Sequence, residues 1–193
     1  MINNNFRIEF IKSLKKRKNF YNLIDKLKYK IICEIGVWDG FNLKNLLKSK
    51  SNKVYGIDPY CFEFINDKKI KYTINEINII FNEVKKLEVI FKNLKIIKKK
   101  SEEAVNFFND NYFDFIYIDG NHTYDYVKND LNLWFPKLKL NGILAGHDYC
   151  DYTFKNGEKF GVIKAVNEFS IKNNLNFYLT DQDEIPSWIF LKQ

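Results

Sequence analysis

Ile31-Ile-Cys-Glu-Ile-Gly-Val-Trp-Asp-Gly40 reads as a buried strand running into a glycine turn that opens a helix. The helix spans Phe41–Lys48, with Leu43, Leu46 and Leu47 on one face. Two later stretches have the same plan. Phe113-Asp-Phe-Ile-Tyr-Ile-Asp-Gly-Asn-His-Thr-Tyr124 and Gly142-Ile-Leu-Ala-Gly-His-Asp-Tyr149 are apolar strands that end in acidic and imidazole side chains. In an open α/β sheet, ligands bind beyond the carboxyl ends of the strands. The distinctive chemistry of this chain therefore falls on one edge.

The flanking sequence supplies the rest of the sheet. Phe6, Phe10, Leu14, Phe20, Leu23, Ile24 and Leu27 predict one broken helix or two over 6–29. Besides the strand at Lys30–Ile35, strands are expected at Lys53–Ile57, Leu94–Ile97, Phe113–Ile118, Gly142–Ala145, Asn176–Leu179 and Ser187–Leu191. Between them lie helical patterns at Ile70–Phe91, with a start after Thr73 as the alternative, and from Ser101, with the serine as cap. Two more cover Tyr124–Trp134, ended by Pro136, and Gly161–Lys172. Alternation of this kind implies an α/β fold with a mostly parallel sheet and helices on both faces. The short connection Asp181–Pro186 predicts an antiparallel hairpin at one end. The irregular stretch 149–160 lies on the active edge and reads as a lid.

A chain of 193 residues, 46% hydrophobic and 17% aromatic, suits one α/β domain and argues against disorder. The net charge of +7 invites a nucleic-acid reading. Against it, Arg occurs only at Arg7 and Arg17, although arginine is the favoured residue for phosphate and base recognition. The runs Lys15–Lys18 and Lys98–Lys100 read as solvated faces, with a binding patch as the alternative. Cys33, Cys61 and Cys150 show no CxxC spacing and no disulfide framework, so a reducing cytoplasm is expected. No apolar run of about 18 residues occurs and the start shows no signal-peptide core, so no membrane association is expected.

Glycine permits positive φ and close approach of a ligand to the backbone, and the helix that follows offers free N–H groups. Asp58, at the end of the second strand, is placed to accept both hydroxyls of a ribose. Together these features predict an adenosine-containing ligand. The spacing Gly36-x-x-x-Gly40 is not the GxGxxG of dinucleotide enzymes, so pyrophosphate is disfavoured. Glu34 beside the turn suits a ligand that carries positive charge. The bland alternative is a tight strand-to-helix turn and nothing more.

Glu34-x-Gly36-x-x-x-Gly40, Asp58 and the closing strand pair resemble the class I S-adenosylmethionine-dependent methyltransferases. The resemblance runs from about Lys30 to Gln193, which leaves 1–29 as an N-terminal helical extension and 30–193 as the methyltransferase domain. It implies a Rossmann-like seven-stranded sheet in the order 3-2-1-4-5-7-6, with the last strand antiparallel. It also implies S-adenosyl-L-methionine as cofactor, held by Glu34, Gly36, Val37, Trp38 and Gly40 around the methionine part. Asp58 and Pro59 would meet the ribose, Lys100 and Ser101 would flank the adenine, and Asp119 would close the set.

Asp119 and His122 follow the fourth strand, and His147 and Asp148 end the fifth. Neighbouring strand tips lie close enough for these groups to converge. The pattern resembles the metal-dependent O-methyltransferases of catechol and macrolide-sugar type, and the uncharacterised methyltransferases associated with surface-sugar biosynthesis. That resemblance implies Asp119, His147 and Asp148 as ligands of Mg²⁺ or Mn²⁺, and Asp119 and His122 as the catalytic pair with His122 as general base. A capping or core role for His122 and a supporting role for His147 stay open.

The expected activity is methyl transfer to a hydroxyl of a sugar, a nucleotide sugar or another small acceptor, with metal assistance. A homo-oligomer is open. The rivals are a metal-dependent hydrolase, a nucleotide-binding dehydrogenase and a non-catalytic nucleotide-binding partner subunit. The hydrolase would not need Asp58 or the glycine turn, and the dehydrogenase is expected to show GxGxxG.

Overall fold

In the computed structural model, which describes residues 3–61, 72–153, 157 and 159–193, the alternating pattern builds one seven-stranded sheet. Its strands are β1 (Ile31–Ile35), β2 (Lys53–Asp58), β3 (Leu94–Lys98), β4 (Phe113–Ile118), β5 (Leu138–Gly146), β6 (Phe177–Leu179) and β7 (Trp188–Leu191). The order is β3-β2-β1-β4-β5-β7-β6. The first five strands pair in parallel, and β7 runs antiparallel to both β5 and β6. This is the topology that the resemblance implied.

Helices α1 (Asn4–Ser13), α2 (Phe20–Lys26), α3 (Phe41–Leu46) and α4 (Ile74–Ile90) contribute to the core on one face. Helices α5 (Ser101–Ala104), α6 (Tyr124–Trp134) and α7 (Val162–Asn173) contribute to the core on the other. Side chains along a strand point to alternate faces. Accordingly Phe115 and Tyr117 of β4 join the first core, and Ile116 and Ile118 join the second. A central strand covered on both sides has to be apolar almost throughout, and β4 is.

The N-terminal segment breaks between α1 and a short 3-10 turn at Arg17–Asn19, which leads directly into α2. Ile11, Phe20, Leu23 and Ile24 are buried, and the Phe20 ring meets Phe115 and Tyr117 at 5.5 and 5.3 Å. Helix α4 begins after Thr73 in a capping box, with Thr73 and Glu76 exchanging side-chain-to-backbone bonds of 2.6 and 3.2 Å. A start at Ile70 falls outside the described residues.

Two expectations need correction. Ser101 is not the cap of α5: Lys100 occupies that position and makes no side-chain cap. The Ser101 hydroxyl instead donates to Asp130 (2.5 Å) and accepts from Trp134 Nε1 (2.7 Å), tying α5 to α6. Strand β5 begins at Leu138 rather than Gly142, because it continues past an irregularity in its pairing with β4 between Phe113 and Phe115. The 149–160 stretch is described in part: Thr153 bridges Lys159, and the Phe160 N–H donates to the Tyr152 carbonyl at 2.9 Å. Among the described residues, no helix is long and apolar enough to cross a membrane.

Candidate functional site

A cavity of about 450 Å³ opens at the carboxyl ends of β1 to β4. Its floor is the β1–α3 turn. Gly36 and Gly40 have φ of +84° and +76°. A Cβ on Gly36 would lie 2.1 Å from the Asp119 carbonyl oxygen, so only glycine lets the tips of β1 and β4 touch here. A backbone bond from Asp119 N–H to the Ile35 carbonyl (2.7 Å) fastens that contact, and one from Gly36 N–H to the Ile57 carbonyl (2.8 Å) ties the turn to β2 on the other side.

Asp58 clamps the next turn. Its two oxygens accept from the backbone N–H groups of Trp38 (2.9 Å) and Tyr60 (2.8 Å). Both donors sit at positive φ, +48° and +46°. Non-glycine residues in that region carry strain, which concentrates at functional sites. Burial raises the Asp58 carboxyl above its ordinary range, and these backbone donors oppose the rise. Val37, Trp38 and Pro59 line the cavity beside it. The Tyr60 hydroxyl is buried with no hydrogen-bond partner among the described residues.

Glu34 is almost fully buried. Its Oε1 accepts from Asn42 Nδ2 at 2.8 Å, while Oε2 is buried with no partner among the described residues. Burial pushes its carboxyl well up. Asn42 in turn accepts from Arg17 Nε at 3.2 Å. The Arg17 guanidinium pairs with Asp119 and lies over the Tyr117 ring, 5.4 Å from its centroid. A chain of polar contacts thus runs Glu34–Asn42–Arg17–Asp119 across the floor.

The tips of β4 and β5 bring the remaining groups together. His122 Nε2 lies 3.0 Å from Asp148 Oδ2, and His147 Nδ1 lies 2.8 Å from Asp148 Oδ1. His147 Nδ1 is 3.9 Å from Asp119 Oδ1. Burial alone would raise the Asp148 carboxyl, but the His147 hydrogen bond and the charges of His122, His147 and Arg17 outweigh it and hold it below the usual range. Asp119, His122 and Asp148 each offer a ligand atom, all within 4.8 Å of one another. Two carboxylates and one imidazole fit a divalent cation such as Mn²⁺ or Mg²⁺. His147 was expected in that set. It stands outside the trio, with its ring held against Asp148.

At the far end, Lys100 and Ser101 line the cavity with Asp130. Burial pushes the Asp130 carboxyl up to about 7. Sequence reasoning missed Arg17, Asn42 and Asp130. Arg17 alone left a signal, as one of two arginines in a lysine-rich chain. Asn42 and Asp130 sit in ordinary helical patterns and left none.

The family model described as a methyltransferase domain matches residues 33–149, more than half of the chain, and the chain belongs to that family. An uncharacterised protein of Acanthamoeba polyphaga mimivirus is 32% identical over 133 residues, which is 66% of this chain and 54% of that protein. An uncharacterised protein of Sinorhizobium fredii is 32% identical over 84 residues, 43% of this chain and 9% of its own length. The chain thus spans about half the length of the first relative and far less of the second. Among solved structures, an O-methyltransferase from Bacillus cereus in complex with SAH has a TM-score of 0.62 at 10% identity, covering 92% of this chain and 80% of that one. An SAH-bound methyltransferase from Podospora anserina gives 0.60 at 15%, covering 90% and 76%. Spermidine synthase from Thermotoga maritima gives 0.58 at 18%, covering 95% and 60%. At these identities the likeness is one of fold.

Proposed function

We propose that this protein is an S-adenosylmethionine-dependent O-methyltransferase acting on a small hydroxylated acceptor, with a sugar or nucleotide sugar as first choice. One observation carries the reading: a single cavity joins the glycine turn and Asp58 to His122, whose ring pairs with Asp148 behind it. A site for an adenosine ligand and a base for a hydroxyl proton thus share one space. When bound, the cofactor supplies an electrophilic methyl group on sulfur.

The chain's own part is to bind, align and deprotonate. Asp58 offers its remaining lone pairs to the ribose hydroxyls, and the Ser101–Asp130 end takes the base. Alignment of donor and acceptor is worth roughly 7–11 kcal/mol in favourable cases. With Nε2 on Asp148, His122 has Nδ1 left to take the proton of an acceptor hydroxyl. Asp148 holds the ring and stabilises its charged form.

The convergence of Asp119, His122 and Asp148 favours a second reading, in which these three hold a divalent cation. Such an ion would supply Lewis-acid activation of the acceptor oxygen, and His122 would be a ligand rather than a base. Both readings share the cofactor end of the site. The test is calorimetry with S-adenosylhomocysteine on the native protein and on Asp58→Ala, followed by a screen of nucleotide sugars for a mass gain of one CH₂. Native binding with loss of most affinity in the variant is expected. Unchanged affinity in Asp58→Ala would sink the assignment of the ribose site.

A further inference from the structure

We infer that Arg17, contributed by the segment before the sheet, is the anchor for the α-carboxylate of the cofactor's amino-acid tail. The inference rests on the S-adenosylmethionine reading above and adds to it the residue that tells an intact tail from a decarboxylated one.

The floor of the cavity holds Glu34, Asp58 and Asp119, and a carboxylate oxygen of Asp148 lies within 4.8 Å of one of Asp119. A ligand carrying only negative charge would be repelled there. Arg17 is the exception on the β1–β4 side; Lys99 and Lys100 also line the cavity, but from beyond β3. Arg17 is fixed from several directions. Its backbone N–H donates to Asp183 at 2.5 Å, its Nε to Asn42, its terminal nitrogen to Asp119, and its plane lies over Tyr117. Those side-chain bonds use two of the five N–H donors of a guanidinium. A fork held this way gives up little entropy when it meets a planar anion.

The neighbouring group completes the match. Through Asn42, Arg17 is linked to Glu34, whose Oε2 is buried and has no partner among the described residues. An amino-acid tail carries one ammonium and one carboxylate on the same carbon. A buried acceptor on Glu34 and a guanidinium one side chain away form the complementary pair. Orphaned buried acceptors cost free energy unless a ligand fills them, so the unmade bond at Glu34 points to a cationic group arriving beside Arg17.

The anchor separates two chemistries that the fold alone leaves open. Methyl transfer uses a donor with an intact amino-acid tail. Aminopropyl transfer uses a donor whose tail has lost its carboxylate, and such a donor gives Arg17 nothing to hold.

The experiment measures binding rather than turnover. Calorimetry compares S-adenosylhomocysteine with its decarboxylated analogue, which keeps the adenosine, the thioether and the amine. In the native protein the intact ligand should bind about ten- to a hundred-fold more tightly, the size of a hydrogen-bonded charge pair. Arg17→Gln should erase that preference, and Arg17→Lys should restore part of it. Equal native affinity for the two ligands would overturn the inference, as would a preference that survives in Arg17→Gln. If Arg17→Gln fails to fold, the native comparison and Arg17→Lys decide alone. A native protein that binds neither ligand would overturn the cofactor reading itself, a result distinct from equal binding of both.

Discussion

Asp148 is shared by His122 and His147, and that sharing sets their roles apart. His122 lines the cavity, whereas His147 does not. His122→Ala is therefore expected to lower kcat by about 10²–10⁴-fold with S-adenosylhomocysteine affinity intact, the usual weight of a positioned base. Steady-state kinetics beside calorimetry check this, and normal turnover in the variant would remove His122 from the mechanism. Chelation separates the two readings of the trio. Arg17 already neutralises Asp119, so protein treated with EDTA is expected to keep its turnover. A loss reversed by Mn²⁺ would make His122 a ligand instead. At this level the sequence was partly readable. Gly36, Asp58, Asp119, His122 and Asp148 stand at strand ends, where an α/β sheet places its chemistry. Arg17 was hidden in the run Lys15–Lys18, which has the look of a solvated face. It reaches the site only because the segment packs against α3 and the connection between β6 and β7.

Among the elements, the contact between β1 and β4 and the tie between α5 and α6 shape the cavity. Gly36→Ala would drive a Cβ into the Asp119 carbonyl at a positive φ, so a loss on the order of 2 kcal/mol or more is expected in urea denaturation. Undiminished stability would mean that the two tips separate freely. The α5–α6 tie carries a pH dependence. Burial raises the Asp130 carboxyl to about 7 in the fold, against about 3.9 in an unfolded chain. A group raised in this way contributes stability that is full below the unfolded value and is lost as pH climbs through the folded one. The window is therefore about pH 4 to 7, and the loss is on the order of 4 kcal/mol. Asp130→Asn cannot ionise, so its stability relative to native should improve as pH rises from about 4 to about 7 and level off above that. A difference that stays constant with pH would show that Asp130 is not a buried acid. Most strands and helices were legible from periodicity, because a two-sided sheet demands apolar strands and one-sided helices. The early start of β5 was not legible, since Asn141-Gly142 reads as a turn although pairing to β7 continues from Ile143 and Asn141 N–H donates to the Lys192 carbonyl.

For the molecule as a whole, the question is whether residues 1–29 are an appendage or part of the core. The alternation of strands and helices fixed the parallel sheet, and the resemblance supplied its strand order. Neither said where the first helices would lie, because their apolar spacing specifies a buried face but not the surface it meets. The structure seats Ile11, Phe20, Leu23, Ile24 and Leu27 in the same core as Phe115 and Tyr117 of the central strand. Arg7 reaches Tyr29, whose hydroxyl donates to the Asn141 carbonyl at 2.5 Å. Burying a large apolar side chain is worth about 1.5–3 kcal/mol, so removing this group forfeits an amount comparable to the roughly 5–15 kcal/mol that holds a whole domain together. It would also strip the cover from Phe115 and Tyr117 and leave Asp119 without its cation. The fragment 30–193 is therefore expected to be aggregated or unfolded, with no cooperative melting transition and no binding of S-adenosylhomocysteine. Circular dichroism melts and calorimetry on the fragment check this. A fragment that melts cooperatively near the native temperature would show that the sheet is self-sufficient, and that the first helices only carry Arg17 to its place.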